Sequence, residues 1–136
     1  MATNVLADSG FLVALLNDGD SDHAWAVAEA HRYPPAWTTC DAAVSEAFYL
    51  LGPTGTDALT ALLQRRAVKC EFALAQHVDE VVRLMKKYAD VPMALADACL
   101  VRMTEMVPNP MLLTTDTEFR VYRRHGRQII PCMTPR

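Results

Sequence analysis

Apolar residues along this chain fall into short continuous runs separated by longer amphipathic stretches. Val5-Leu6-Ala7 is apolar throughout and too short for a helix, which predicts a buried strand. Ala36–Cys40, Val68–Leu74, Met111–Thr114 and Gln128–Ile130 read the same way. Between them lie predicted helices at Ser9–Asn17, Ser21–Arg32, Asp41–Leu51, Asp57–Arg66, Gln76–Tyr88 and Asp90–Met106, with a short one at Thr117–Arg124. Val78, Val81, Val82 and Met85 repeat at helical spacing. Asn17-Asp18-Gly19-Asp20, Tyr33-Pro34-Pro35, Gly52-Pro53-Thr54-Gly55 and Pro108-Asn109-Pro110 supply the breaks. Asp41 and Asp90 are read as N-caps, Gly126 as the residue that closes the short helix, and Pro131–Arg136 as a tail.

Strands that alternate with helices and are apolar on both faces indicate a parallel sheet covered on both sides. The expectation is one α/β domain over residues 1–136. With 51% apolar and 21% charged residues in 136, the chain is neither disordered nor fibrous, and it can bury a sizeable core. Apolar runs are interrupted before they reach membrane-spanning length. The opening Met1-Ala2-Thr3-Asn4 lacks the basic stretch of a signal peptide. Cys40, Cys70, Cys99 and Cys132 are widely spaced, as expected of reduced structural thiols in a cytoplasmic protein. A net charge of −3 argues against a plain electrostatic nucleic-acid binder, but not against an enzyme that meets nucleic acid through bound cations.

Four carboxylates interrupt otherwise apolar sequence. Asp8 is alone between Met1 and Asn17, Glu46 between Ala42 and Leu51, and Asp97 between Pro92 and Val101; Asp116 follows Met111-Leu112-Leu113-Thr114-Thr115. Burying a lone carboxylate costs several kcal/mol in practice. Asp8 and Asp116 each stand where a strand gives way to a helix, so each is also a natural N-cap. Glu46 and Asp97 are read as lying well inside helices, where capping is no explanation.

Topology couples these residues. Ligands of an open parallel sheet bind outside the carboxyl ends of the strands, where strand order reverses. In an order of 3-2-1-4-5, Asp8 and Asp116 end neighbouring strands, and Glu46 and Asp97 point toward the same cleft. Like charges gathered in one cleft repel unless a cation sits among them. Oxygen ligands without Cys or His suit Mg²⁺ or Mn²⁺. Such a site activates water for displacement at a phosphodiester.

The residues resemble the PIN-domain family, and within it the VapC-type ribonuclease toxins of toxin–antitoxin pairs. Leu6-Ala7-Asp8-Ser9-Gly10-Phe11-Leu12 looks like the family's first motif, Ser45-Glu46 its second, Pro92–Ala98 around Asp97 its third, and Leu113-Thr114-Thr115-Asp116-Thr117-Glu118-Phe119 its fourth. His23-Ala24-Trp25-Ala26 is similar to a stretch found in one subgroup. The resemblance covers nearly the whole chain. It implies a three-layer α/β/α domain with a five-stranded parallel sheet ordered 3-2-1-4-5. It also implies metal-dependent endoribonuclease activity, with Asp8, Glu46, Asp97 and Asp116 as catalytic and Mg²⁺- or Mn²⁺-binding acids. Many members carry a second Asp two residues after the fourth acid; here that position is Glu118, an auxiliary candidate together with the hydroxyls of Ser9 and Thr114.

Among the basic clusters, Arg120, Arg123 and Arg124 follow Asp116 and are the candidates for holding RNA phosphates. A homodimer and an antitoxin partner are implied by the family. The alternative is a PIN-like module that binds RNA or protein without cutting. Other folds with acids at strand ends fit less well. A receiver domain needs paired acids after the first strand and a late Lys, and no Lys follows Lys87; a DxD phosphatase motif would need an acid where Gly10 stands. No phosphate-binding Gly-rich loop is present.

Overall fold

The computed structural model describes residues 2–136. Seven strands form: β1 (Asn4–Ala7), β2 (Trp37–Thr39), β3 (Val68–Cys70), β4 (Pro110–Leu113), β5 (Arg123–Arg124), β6 (Gln128–Ile129) and β7 (Cys132–Met133). Six α-helices accompany them: α1 (Ser9–Leu16), α2 (His23–Arg32), α3 (Asp41–Leu51), α4 (Thr56–Gln64), α5 (Val78–Lys87) and α6 (Leu95–Glu105). The main sheet is parallel and ordered β3-β2-β1-β4-β7.

Side chains alternate across this sheet and so feed two cores. Leu6 pairs with Leu112, and both face the layer of α5 and α6, with Phe72, Tyr88, Phe119 and Tyr122. Ala7 pairs with Leu113, and both face α1, α2 and α4, with Phe11, Trp37 and Leu59. The result is the expected three-layer α/β/α arrangement with the expected spatial order. β1 is central, with β2 on one side and β4 on the other, so the strand order reverses between β1 and β4.

The fifth strand of the sheet is not the one read from the sequence. Gln128–Ile129 pairs antiparallel with Arg123–Arg124 in a separate ribbon, and Ile129 is largely exposed while Ile130 is buried. The sheet edge is instead Cys132–Met133, inside the segment read as a tail. Pro131 hid it: proline has no N–H to give a ladder, but at the start of an edge strand its carbonyl suffices, and here it accepts from Leu112 N at 3.0 Å.

The predicted helix over Thr117–Arg124 is one 3₁₀ turn at Thr117–Arg120 followed by the ribbon. Gly126 therefore does not close a helix; with φ of +81° it sits beside His125 at +51° in the ribbon's turn. Asp41 is the first helical residue of α3 rather than its N-cap. Asp90 caps nothing, because α6 begins at Leu95.

Candidate active site

Asp8 directly follows Ala7, so the sheet itself carries it to the carboxyl edge. Its N–H makes the last rung to Leu113 O at 3.0 Å, and its side chain turns back to accept from Ser9 N at 2.7 Å. Thr114, the equivalent residue after β4, donates its hydroxyl to the other Asp8 oxygen at 2.7 Å. The same hydroxyl accepts from Asp116 N at 2.9 Å. Asp116 in turn accepts from Glu118 N at 2.9 Å and caps the 3₁₀ turn. Ser9 donates from Oγ to Glu46 Oε1 at 2.8 Å, which ties α3 to the end of β1.

Asp97 stands differently from the sequence reading. It is the third residue of α6, in the first turn, and its Oδ2 accepts from Ala94 N at 3.0 Å. It therefore does perform a capping bond, one that a residue deep in the helix would not. The earlier start at Asp90 was misread because Pro92 is a good first residue of a helix. Asp97 Oδ1 accepts nothing from the described residues.

The four acids share one field. Burial is the main reason Asp8 is raised from 3.8 to about 6; the Thr114 and Ser9 hydrogen bonds oppose it, and Glu46 and Asp116 add to it. Asp97 is raised from 3.8 to about 6, first by burial and then by the charges of Asp8, Asp116 and Glu46. Among the described residues the ion pairs are Arg102–Glu105 and Arg136–Asp22, and neither touches the cluster. Among the described residues, no basic side chain pairs with these acids.

Gly10 packs the β1–α1 corner against the loop after β4. A Cβ built there would stand 2.0 Å from Thr115 Oγ1, so only a residue with no side chain lets the two acid-bearing turns touch.

The donor set is hard oxygen only, and Glu46, Asp97 and Asp116 each hold one oxygen by a hydrogen bond while the other accepts none from the described residues. That chemistry fits a divalent cation such as Mg²⁺ or Mn²⁺. Among the described residues, no three of the acids are drawn tightly enough to hold a metal ion as they stand.

The expected basic residues scatter. Arg120 is exposed and donates to Thr134 Oγ1 and to Arg136 O. Arg123 curls back onto the carbonyls of Arg120, Val121 and Tyr122. Arg124 reaches Thr104 O and Val107 O, at the end of α6 away from Asp97. That helix has eleven residues, so Arg124 lies roughly 16 Å along the axis from the acidic end.

One contributor escaped the sequence reading. Tyr122 is buried, and its hydroxyl donates to Glu118 Oε2 at 3.3 Å. Burial raises this phenol, and Asp97, Glu118 and Asp116 raise it further, so it stays a neutral donor at the edge of the cluster. The four-residue step from Glu118 to Tyr122 was the available signal.

Compared with known proteins, the chain is similar to the crystal structure of the Mycobacterium tuberculosis toxin VapC20, described as a sarcin–ricin loop cleaving toxin. The TM-score is 0.77 at 20% sequence identity, over 86% of this chain and 93% of that one. The chain has the fold of a VapC-type PIN domain. No family model and no curated protein sequence matches it. Among the described residues, no helix is long and apolar enough to cross a membrane.

Proposed function

We propose that this chain is a divalent-metal-dependent endoribonuclease, the toxin member of a toxin–antitoxin pair, acting on RNA in the cytoplasm. The observation that carries the reading is the cluster of Asp8, Glu46, Asp97 and Asp116. They share one field at the strand-order switch, with two of them raised to about 6 and, among the described residues, no basic side chain paired to any. A fold that leaves such acids uncompensated at its ligand-binding edge is built to receive a cation.

Asp8, Glu46, Asp97 and Asp116 would hold Mg²⁺ or Mn²⁺. When bound, the ion would supply an activated water and offset charge on the leaving oxygen. The chain's own residues do the rest. Thr114 fixes Asp8 and Asp116 relative to each other through one hydroxyl. Ser9 fixes Glu46 against Asp8. Asp97, like Glu46 and Asp116, has one oxygen tied and one without a partner among the described residues, and it is the carboxylate proposed to take a proton from the attacking water. In-line attack by water yields a 5′-phosphate and a 3′-hydroxyl. Arg120 and Arg123, on the segment just after Asp116, are the proposed phosphate contacts.

The protein partners are proposed from the fold and from exposed apolar side chains. Tyr49 and Leu50 on α3 are 84% and 54% exposed, surface that a second copy or an antitoxin would cover.

The test is cleavage by purified protein of a mixed single-stranded RNA and of a sarcin–ricin hairpin, the substrate type of the structural neighbour. It is run with Mn²⁺, Mg²⁺ or EDTA. Metal-dependent cutting that vanishes in Asp97→Asn supports the reading, and cyclic phosphate products contradict the mechanism. Absence of both cutting and Mn²⁺ binding would leave a binding module that does not cut.

A further inference from the structure

We infer that Tyr122 is a positioning residue that holds Glu118 against the acid cluster, making Glu118 a working fifth carboxylate of the site. The inference rests on the nuclease reading above. Glutamate has one more rotatable bond than aspartate and loses more freedom when fixed. A Glu in this position therefore needs a tether, and the structure supplies one at each end. The Glu118 backbone N–H is held by Asp116 Oδ1 at 2.9 Å, and its carboxylate accepts from the Tyr122 hydroxyl at 3.3 Å.

The tether itself is rigid. The Tyr122 ring is fully buried and packs edge-on against Tyr88 at 5.1 Å and Phe119 at 5.3 Å between ring centres. Its N–H donates to Glu118 O at 3.1 Å, which places the two residues one turn apart. A phenol is the right group for this task. It donates a hydrogen bond without adding a positive charge, so it aims a carboxylate without competing with a cation for the other acids. Glu118 Oε1 accepts nothing from the described residues.

The experiment compares wild type, Tyr122→Phe, Glu118→Ala and the double variant. Mn²⁺ affinity is read by titration calorimetry, and kcat and KM on RNA are measured separately. Tyr122→Phe keeps the ring and its packing, and a melting curve checks the fold. The expected result is a loss of about 10-fold in Mn²⁺ affinity and in kcat, the scale of removing an outer support of a metal ligand, with KM for RNA unchanged. The double variant should bind Mn²⁺ no worse than Glu118→Ala alone.

Wild-type Mn²⁺ affinity in Tyr122→Phe, or additive losses in the double variant, overturns the inference. Should Tyr122→Phe lose its cooperative melt, Glu118→Gln carries the test instead, because it keeps the arm and an acceptor for the tyrosine but removes the charge, and wild-type Mn²⁺ affinity in it overturns the inference. A wild-type protein that neither binds Mn²⁺ nor cuts RNA defeats the nuclease reading itself. One that does both while the variants match it defeats only the role given to Tyr122.

Discussion

The two ends of α6 are finished to different standards. At its C-terminal end, Arg124 satisfies Thr104 O and Val107 O, and Glu105 is paired with Arg102 at 3.2 Å and accepts from His125 N at 2.7 Å. Arg102 and Arg124 suit the helix dipole at this end, and Arg102 offsets the Glu105 carboxylate, which does not. At its N-terminal end, Asp97 shares a field with three other acids and has no basic partner among the described residues. One helix, eleven residues long, thus joins an end where Glu105 is paired with Arg102 to an end where the acids have no basic partner among the described residues. Under the proposed function, that surplus of acids is where a divalent cation would sit.

The sharpest way to break this contrast is Asp97→Asn. RNA cleavage should fall by roughly 10²-fold or more, the scale of losing a positioned proton-transfer group, while melting at pH 7 holds or improves. A gel assay alongside thermal melts decides it. A large loss of stability would mean that Asp97 is a structural cap and nothing more.

Asp8→Asn should do the opposite of what burying a polar substitution usually does. Asp8 in the folded chain is raised above its unfolded value, so its favourable contribution is complete below pH 3.8 and is lost as the pH rises through about 6. Well above that, the ionised form costs the fold up to about 3 kcal/mol. Relative to wild type without metal, the variant's melting temperature should be unchanged near pH 4 and a few degrees higher at pH 7. Melts across that range check the sign, and Mn²⁺ should erase the gap by stabilising only the wild type.

Thr114→Val removes the donor that favours ionised Asp8. It should lower stability by about 1–3 kcal/mol at pH 7 and by less at pH 4, where Asp8 is largely protonated. Denaturant unfolding at the two pH values measures the difference. At the matched end, Arg124→Ala should cost about 1–2 kcal/mol by leaving two helix-terminal carbonyls without their donor. Its RNA affinity, read by filter binding, should fall less than that of Arg120→Ala.

Much of this was legible in the sequence, for identifiable reasons. β1 and β4 are continuous apolar runs closed by an acid or by a hydroxyl and an acid, so both the strands and the positions of Asp8 and Asp116 follow from periodicity. Glu46, exposed within α3, stood out because every neighbour from Ala42 to Leu51 is uncharged. What failed was local. Pro131 disguised a strand, and Pro92 suggested a helix start that the chain delays to Leu95. Arg120, Arg123 and Arg124 look like one basic patch in sequence, but the turn into the β5–β6 ribbon sends the last of them to the far end of α6. Tyr122 carries no role in the sequence reading, because its four-residue step from Glu118 becomes a contact only once the chain turns there.

Gly10 gives the four acids unequal freedom. Because it lets the β1–α1 corner rest directly on the Thr115 side chain, the span from Asp8 to Asp116 is set by that contact and by sheet register, like the jaws of a closed calliper. Glu46 and Asp97 hang from helices and can be lengthened, shortened or shifted by a turn. Anyone retuning this cleft for a larger or smaller ion has two fixed jaws and two adjustable screws, and the screws are the place to start.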